Sequence, residues 1–136
     1  MVLVTFSKRS QLISFLKYQN CNIYLLQETH GISKLEGWEG FSIFNPGTNL
    51  SCGVTILFSS SFNPKILDTK LDSRILSVKF LITIRFLTLL TYIHQIFRPA
   101  VKLFFNNLHS FFFHDSKLCI GGDFTCLMSD LDKHGG

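Results

Sequence analysis

Apolar residues recur along the chain in three rhythms, and each predicts a different kind of element. Between residues 10 and 20, Leu12, Phe15 and Leu16 stand at i, i+3 and i+4, the spacing of one helix face, with Ser7 or Ser10 available as the N-cap. Val2–Phe6, Ile23–Leu26 and Gly53–Phe58 are short continuous apolar runs, which read as strands. The run at Ile23 has the signature of a buried strand in an α/β sheet. From Ile75 onward the even positions are Leu76, Val78, Phe80, Ile82, Ile84, Phe86, Leu90 and Tyr92, broken only by Thr88. The odd positions include Ser77, Lys79, Thr83, Arg85 and Thr91. Strict alternation with β-branched and aromatic residues predicts two strands with one fully buried face. No Gly, Pro, Asn or Asp lies between Ser73 and Pro99 to turn such a hairpin, which fits a loop lost by deletion.

Beyond Arg98-Pro99 the period changes to 3.6. Val101, Phe104, Phe105, Leu108, Phe111 and Phe112 form one apolar stripe, which predicts a helix packed into the core. Leu118–Ile120 is a last short strand running into Gly121-Gly122-Asp123. Gly31 to Asn49 reads as loop anchored by Trp38 and Phe41, and Asn63-Pro64 marks a turn. Strands interleaved with helices predict a mixed α/β layered domain.

The stretch Ile75–Ile93 has a second reading, because its 19 residues approach the length of a membrane span. Lys79 and Arg85 oppose insertion, since each costs about 2.5–3.5 kcal/mol near the bilayer centre. A small membrane-associated protein acting through residues 75–93 is therefore the alternative.

Composition narrows the class. A chain of 136 residues has room for one domain, and 46% apolar content excludes a disordered tail. Charged residues make up only 16%, against a usual share of about 25%, so the chain has little charge with which to keep a large surface wet. The net charge of +4 permits nucleic-acid contact without a basic cluster, for Lys8-Arg9 is the only adjacent pair. Cys21, Cys52, Cys119 and Cys126 contain no Cys-x-x-Cys spacing, and reduced thiols in an intracellular compartment, nuclear or cytoplasmic, are the expectation. Met1–Phe6 is too short an apolar run for a signal peptide.

Two carboxylates follow directly on buried runs. Glu28 comes after Ile23–Leu26, and Asp123 after Leu118–Ile120 across two glycines. Ligand sites in open α/β sheets collect at the carboxyl ends of strands. Paired carboxylates on neighbouring strand ends suit a hard cation such as Mg²⁺, which takes oxygen ligands. A strand-end carboxylate also serves as a turn or cap residue, and the residues alone leave both readings open.

Several motifs in register carry a resemblance. Ile23-Tyr24-Leu25-Leu26-Gln27-Glu28-Thr29-His30 is similar to the "LLQETH" motif of the endonuclease/exonuclease/phosphatase superfamily. More narrowly it resembles the apurinic-type endonuclease domain of LINE-type (non-LTR) retrotransposons. Gly53–Phe58, Arg98-Pro99 with Leu103-Phe104-Phe105, Leu118–Phe124 (the family's "GGDFN" strand) and Leu131-Asp132 follow in the family's order. The resemblance implies a partial four-layer α/β sandwich, with residues 1–136 as the N-terminal portion of one such domain and its C-terminal part missing. It implies Mg²⁺ as cofactor, DNA as partner, and phosphodiester hydrolysis as the chemistry. Glu28 would be the metal ligand, Asp123 would align or deprotonate the attacking water, and Tyr92 would contact the scissile phosphate. Gln27 and Thr29 would be orienting neighbours.

The departures are specific. Thr125 stands where the family has the "GDFN" Asn, Ile93-His94 replaces the "AP" after the Tyr, and the first Asn is Asn20. None of His30, His94, His109, His114 and His134 matches the family's catalytic His in its "SDH" ending. The expectation is a truncated endonuclease-like chain without activity as it stands, self-associating through apolar sheet surface left uncovered.

Overall fold

The structure is a computed structural model in which residues 9–29, 34–47, 53–72, 74–83, 85–92 and 106–122 are described. The elements are α1 (Arg9–Gln19), β1 (Ile23–Gln27), β2 (Ser42–Asn45), β3 (Val54–Phe58), β4 (Lys65–Asp72), β5 (Ile75–Ile82), β6 (Arg85–Tyr92) and β7 (Lys117–Gly122). The expected strand at Val2–Phe6 lies outside the described residues, as do residues 93–105.

Two sheets pack face to face. The first runs in the order β1-β3-β2, antiparallel throughout, and the second in the order β4-β5-β6-β7. Within the second sheet only β6 and β7 are parallel. Between the sheets lie Leu25, Val54, Ile56 and Phe58 from one side and Leu76, Val78, Phe80 and Leu89 from the other. Phe58 is the hinge of this core: its ring meets Phe80 edge-on at 5.6 Å and lies nearly parallel to Phe62 at 6.0 Å and Phe41 at 6.2 Å.

A further layer covers each sheet. Leu12 and Leu16 of α1, with Leu35, bury the outer side of the first sheet against Tyr24, Leu26 and Leu57. Phe15 faces outward instead of inward, 40% exposed, and Ile13 takes its place beside this cluster. Outside the second sheet, Leu108, Phe111 and Phe112 pack on Ile75, Leu90 and Ile120. Backbone carbonyls anchor this strap: Ser77 Oγ donates to Phe111 O at 2.7 Å, and Lys70 Nζ donates to Phe112 O at 3.0 Å. Helix, sheet, sheet and strap form the four layers expected.

The strand at Ile23 is buried as expected, and its pairing with β3 is antiparallel. Several expectations are corrected. The loop-rich stretch contains β2, and β4 was not foreseen at all, because its burial follows no clean alternation. Residues 75–92 do form two strands, but the single even-numbered face does not hold. Leu76 pairs with Thr91, Val78 with Leu89 and Phe80 with Leu87 across the hairpin, so even positions of β5 share a face with odd positions of β6. The cause is a tight turn between Ile82 and Arg85, not a lost loop, with Thr83 in the left-handed region at φ 56. A β-branched residue pays roughly 1 kcal/mol there, which is why no turn signal was visible in the sequence. Thr88 and Leu90 of β6 lie under the strap, while Phe86 near the turn is exposed. As two paired strands, residues 75–92 are not a membrane helix. Among the described residues no helix is long and apolar enough to cross a membrane. Among the described residues the Phe stripe is helical from residue 106 to Phe111, and Phe112 is already extended at φ −82, ψ 152; its residues 101–105 lie outside the described residues.

Candidate functional site at one end of the sandwich

Strand register fixes which chain segments share an end. In the first sheet Gln27, Val54 and Asn45 form one cross-strand row. In the second, Asp72, Ile75, Tyr92 and Gly122 form another. Asn45 joins the two rows. Its buried side chain donates from Nδ2 to Ile75 O at 2.7 Å and also to Asp72 O, and Oδ1 accepts from Gly47 N–H at 3.1 Å. The carboxyl ends of β1, β6 and β7 therefore meet at one rim, with β1 approaching β7 across the sheets.

Glu28 follows β1 at this rim. Gln27 opposes Val54, yet it is Thr29 N–H that donates to Gly53 O at 3.0 Å, so Glu28 is an extra residue in the manner of a β-bulge. Its φ is +54, a left-handed conformation costing roughly 1 kcal/mol for a non-glycine residue. Thr29 holds the distortion from the far side, fully buried, with its hydroxyl accepting from Thr55 Oγ1 at 3.2 Å. Backbone strain held in place by buried hydrogen bonds is characteristic of functional positions. Glu28 itself is half-buried and has no ion-pair or hydrogen-bond partner among the described residues.

The other expected site residues are less completely placed. Tyr92 closes β6 at the rim through its backbone pairing, and its side chain lies outside the described residues. β7 ends at Gly122 on the same rim, and Asp123 lies outside the described residues, as does Thr125. Glu28 and the end of β7 belong to different sheets facing one another, not to neighbouring strands of one sheet. Gln27 points into the space between the sheets, where it is buried.

Two rim residues escaped sequence reasoning. Asn45 falls within the stretch from Gly31 to Asn49 that reads as loop. Thr91 is fully buried with its Oγ1 unpartnered among the described residues, facing the inter-sheet space beside Gly121. Its place on an odd position marked it as the polar face of a strand, and only the parity switch at Thr83 turns it inward.

Of the two carboxylates expected to hold a hard cation, only Glu28 lies among the described residues. Mg²⁺ is commonly held by one or two carboxylates while keeping several waters, and Glu28 offers one unengaged carboxylate at an open rim. Among the described residues no cluster of three or more acidic, His or Cys side chains gathers anywhere.

The opposite end differs in kind. A shallow cavity of about 200 Å³ lies there, lined by Lys17, Cys21, Tyr24, Trp38 and Ser59 among others. Several of its polar groups are already engaged. Tyr24 Oη donates to Leu16 O at 2.6 Å, and Trp38 Nε1 donates to Phe58 O at 3.1 Å.

Comparison with known proteins bears on the rim. No protein-family model matches the sequence. A transposon TX1 protein of 149 kDa from Xenopus laevis is 32% identical over 134 residues, covering 91% of this chain. The chain spans only 10% of that relative's length. Among solved structures, a humanized D. rerio TDP2 superposes with a TM-score of 0.67 at 16% identity, over 94% of this chain and 59% of that one. D. rerio TDP2 complexed with single strand DNA product gives 0.66 at 15% identity, over 94% and 57%. The human Nocturnin catalytic domain gives 0.59 at 16% identity, over 93% and 60%. The chain thus has part of the endonuclease/exonuclease/phosphatase fold and resembles, along most of its length, a stretch of a LINE-type transposon protein.

Proposed function

We propose that these residues are the N-terminal portion of a Mg²⁺-dependent DNA endonuclease domain of a non-LTR retrotransposon. The observation that carries the reading is Glu28, held in a strained conformation at the rim where β1, β6 and β7 end. Similarity to a transposon protein supports the same reading, as does the likeness in fold to a TDP2 solved with a DNA product.

In this reading Glu28 holds the metal. An Mg²⁺ bound there supplies Lewis-acid polarisation of a phosphoryl oxygen and a more acidic water. Asp123 aligns or deprotonates the attacking water, and Tyr92 contacts the scissile phosphate. Asn45 keeps the β4–β5 turn and the rim in register, and Thr29 holds the bulged backbone at Glu28 in place. The 136 residues as they stand carry no counterpart of the family's catalytic His. Loss of general acid–base help alone lowers rates about 10²–10⁴-fold, so the polypeptide taken by itself is proposed to be inactive.

The test is nicking of supercoiled plasmid in Mg²⁺ by the chain and by Glu28→Gln, run beside a Mn²⁺ titration followed by electron paramagnetic resonance. Both proteins should leave the plasmid at background, and only the parent should retain Mn²⁺. Nicking that disappears in Glu28→Gln would overturn the inactivity. Equal Mn²⁺ retention by both would overturn the site.

A further inference from the structure

β4 is the outer strand of the second sheet, and among the described residues it pairs with β5 alone. Its other edge presents a row of backbone donors and acceptors. Such edges are commonly blunted by like charges, by Pro or by a covering loop. β4 instead carries charges that alternate in sign. Lys65, Asp68, Lys70 and Asp72 lie opposite Leu81, Lys79, Ser77 and Ile75 of β5, so all four share the face that bears the strap. The bulge between Ile66 and Asp68 absorbs Leu67 and keeps that spacing even. Ile66, Thr69 and Leu71 lie opposite Phe80, Val78 and Leu76 on the core face. Leu71 is 59% exposed, so the core face of β4 extends past the first sheet there.

The order plus, minus, plus, minus is complementary to its own reversal. Antiparallel pairing of β4 with a second β4, about a two-fold axis at Thr69, keeps each face of the sheet continuous. It sets Lys65 opposite Asp72 of the second copy and Asp68 opposite Lys70, each pair occurring twice. On the core face Thr69 meets Thr69, and Leu71 meets Ile66 with its bulge neighbour Leu67, itself 39% exposed. Opposite charges directly across a strand pair stabilise it, and like charges destabilise it. Sliding the second copy by two residues one way sets Lys70 against Lys70 and Asp68 against Asp72. Sliding it the other way sets Asp68 against Asp68 and Lys65 against Lys70. The charges therefore select one register. Lys70 Nζ donates to Ser110 O at 3.1 Å and Phe112 O at 3.0 Å, carbonyls that leave its charge uncancelled. Thr69 N–H donates to the Asp68 carboxylate at 2.8 Å, a bond that the Thr69 carbonyl of the second copy would replace.

We propose that the free edge of β4 binds a second copy of this chain, antiparallel about Thr69, so that the two second sheets join into one. The joint is a single pair of strands, which makes the dimer weak and dependent on concentration. It uses neither Glu28 nor a divalent ion and stands whether or not the rim is a nuclease site.

The experiment is sedimentation velocity in EDTA at low salt over a wide range of protein concentration. The parent should pass from monomer to dimer and no further, because a two-fold joint consumes the edge that forms it. Lys65→Asp alone sets two carboxylate pairs across the joint, and Asp72→Lys alone sets two ammonium pairs. Each should weaken dimerisation about tenfold or more. An equimolar mixture of the two variants restores opposite charges at both ends of the joint, so it should dimerise like the parent. Far-UV circular dichroism confirms that each variant is folded. A parent that stays monomeric at every concentration would overturn the proposal. So would single variants that associate as the parent does, which would assign association to another surface such as the exposed Phe86 and Leu118. A mixture no more dimeric than its folded components would overturn the register and the proposal with it.

Discussion

The two ends of the sandwich are built from the same strands and differ in how their polar groups are spent. At the end beside the cavity, Tyr24, Trp38, Lys17 and Glu39 have partners and the aromatic core around Phe58 closes behind them. At the rim, one residue is strained, one buried hydroxyl lacks a partner among the described residues, and one buried amide stitches the sheets together. Polar groups are engaged at the first end, and unused chemical capacity lies at the second. That contrast points to the rim as the site, although the cavity is at the other end.

The contrast can be broken most severely at Asn45. Asn45→Ala removes two donors from buried carbonyls at once and should cost about 2–4 kcal/mol in urea unfolding. Lys17→Ala, which deletes the exposed pair with Glu39 at the other end, should leave the melting midpoint within error. Similar losses from both would erase the distinction between the ends.

A smaller effect of opposite sign is expected at Thr91. Thr91→Val replaces an unpaired buried hydroxyl by a methyl of similar shape and should stabilise the fold by about 1 kcal/mol in the same assay. A loss of stability would show that the hydroxyl is partnered after all.

The smallest effect concerns pH. Hydrogen bonding from Lys79 holds the Asp115 carboxyl below its ordinary value of 3.8, helped by its own backbone amide. A carboxyl whose folded pKa is depressed contributes stability above its unfolded pKa and loses it as pH falls through the folded pKa. The contribution should therefore disappear only below about pH 4, and Asp115→Asn should flatten the acid limb of the melting curve there. An unchanged acid limb would show that the Lys79–Asp115 pair contributes nothing to holding the strap.

Much of this was legible in the sequence, for physical reasons that can be named. Continuous apolar runs at Ile23 and Val54 announced strands buried on both faces, and they are. The alternation from Ile75 announced two strands, but parity depends on turn length, and a turn made with Thr83 leaves no Gly or Asn to reveal it. β4 was hidden because an edge strand overhanging a narrower partner sheet needs little apolar pattern; its Leu71 is 59% exposed. Glu28 was found through its motif. Asn45 was missed because a turn-forming Asn and a buried clamp look alike until the second sheet is placed against it.

The central claim is that a divalent ion binds at the rim through Glu28. Substoichiometric Mn²⁺ added to the ¹⁵N-labelled protein tests it most directly, since paramagnetic broadening reports which amides lie near the ion. The amides of Glu28, Thr29, Gly53 and Gly122 should broaden first, Ser59 and Leu81 should stay sharp, and Glu28→Gln should abolish the effect. Broadening that starts at the cavity end, or that persists unchanged in Glu28→Gln, would contradict the account.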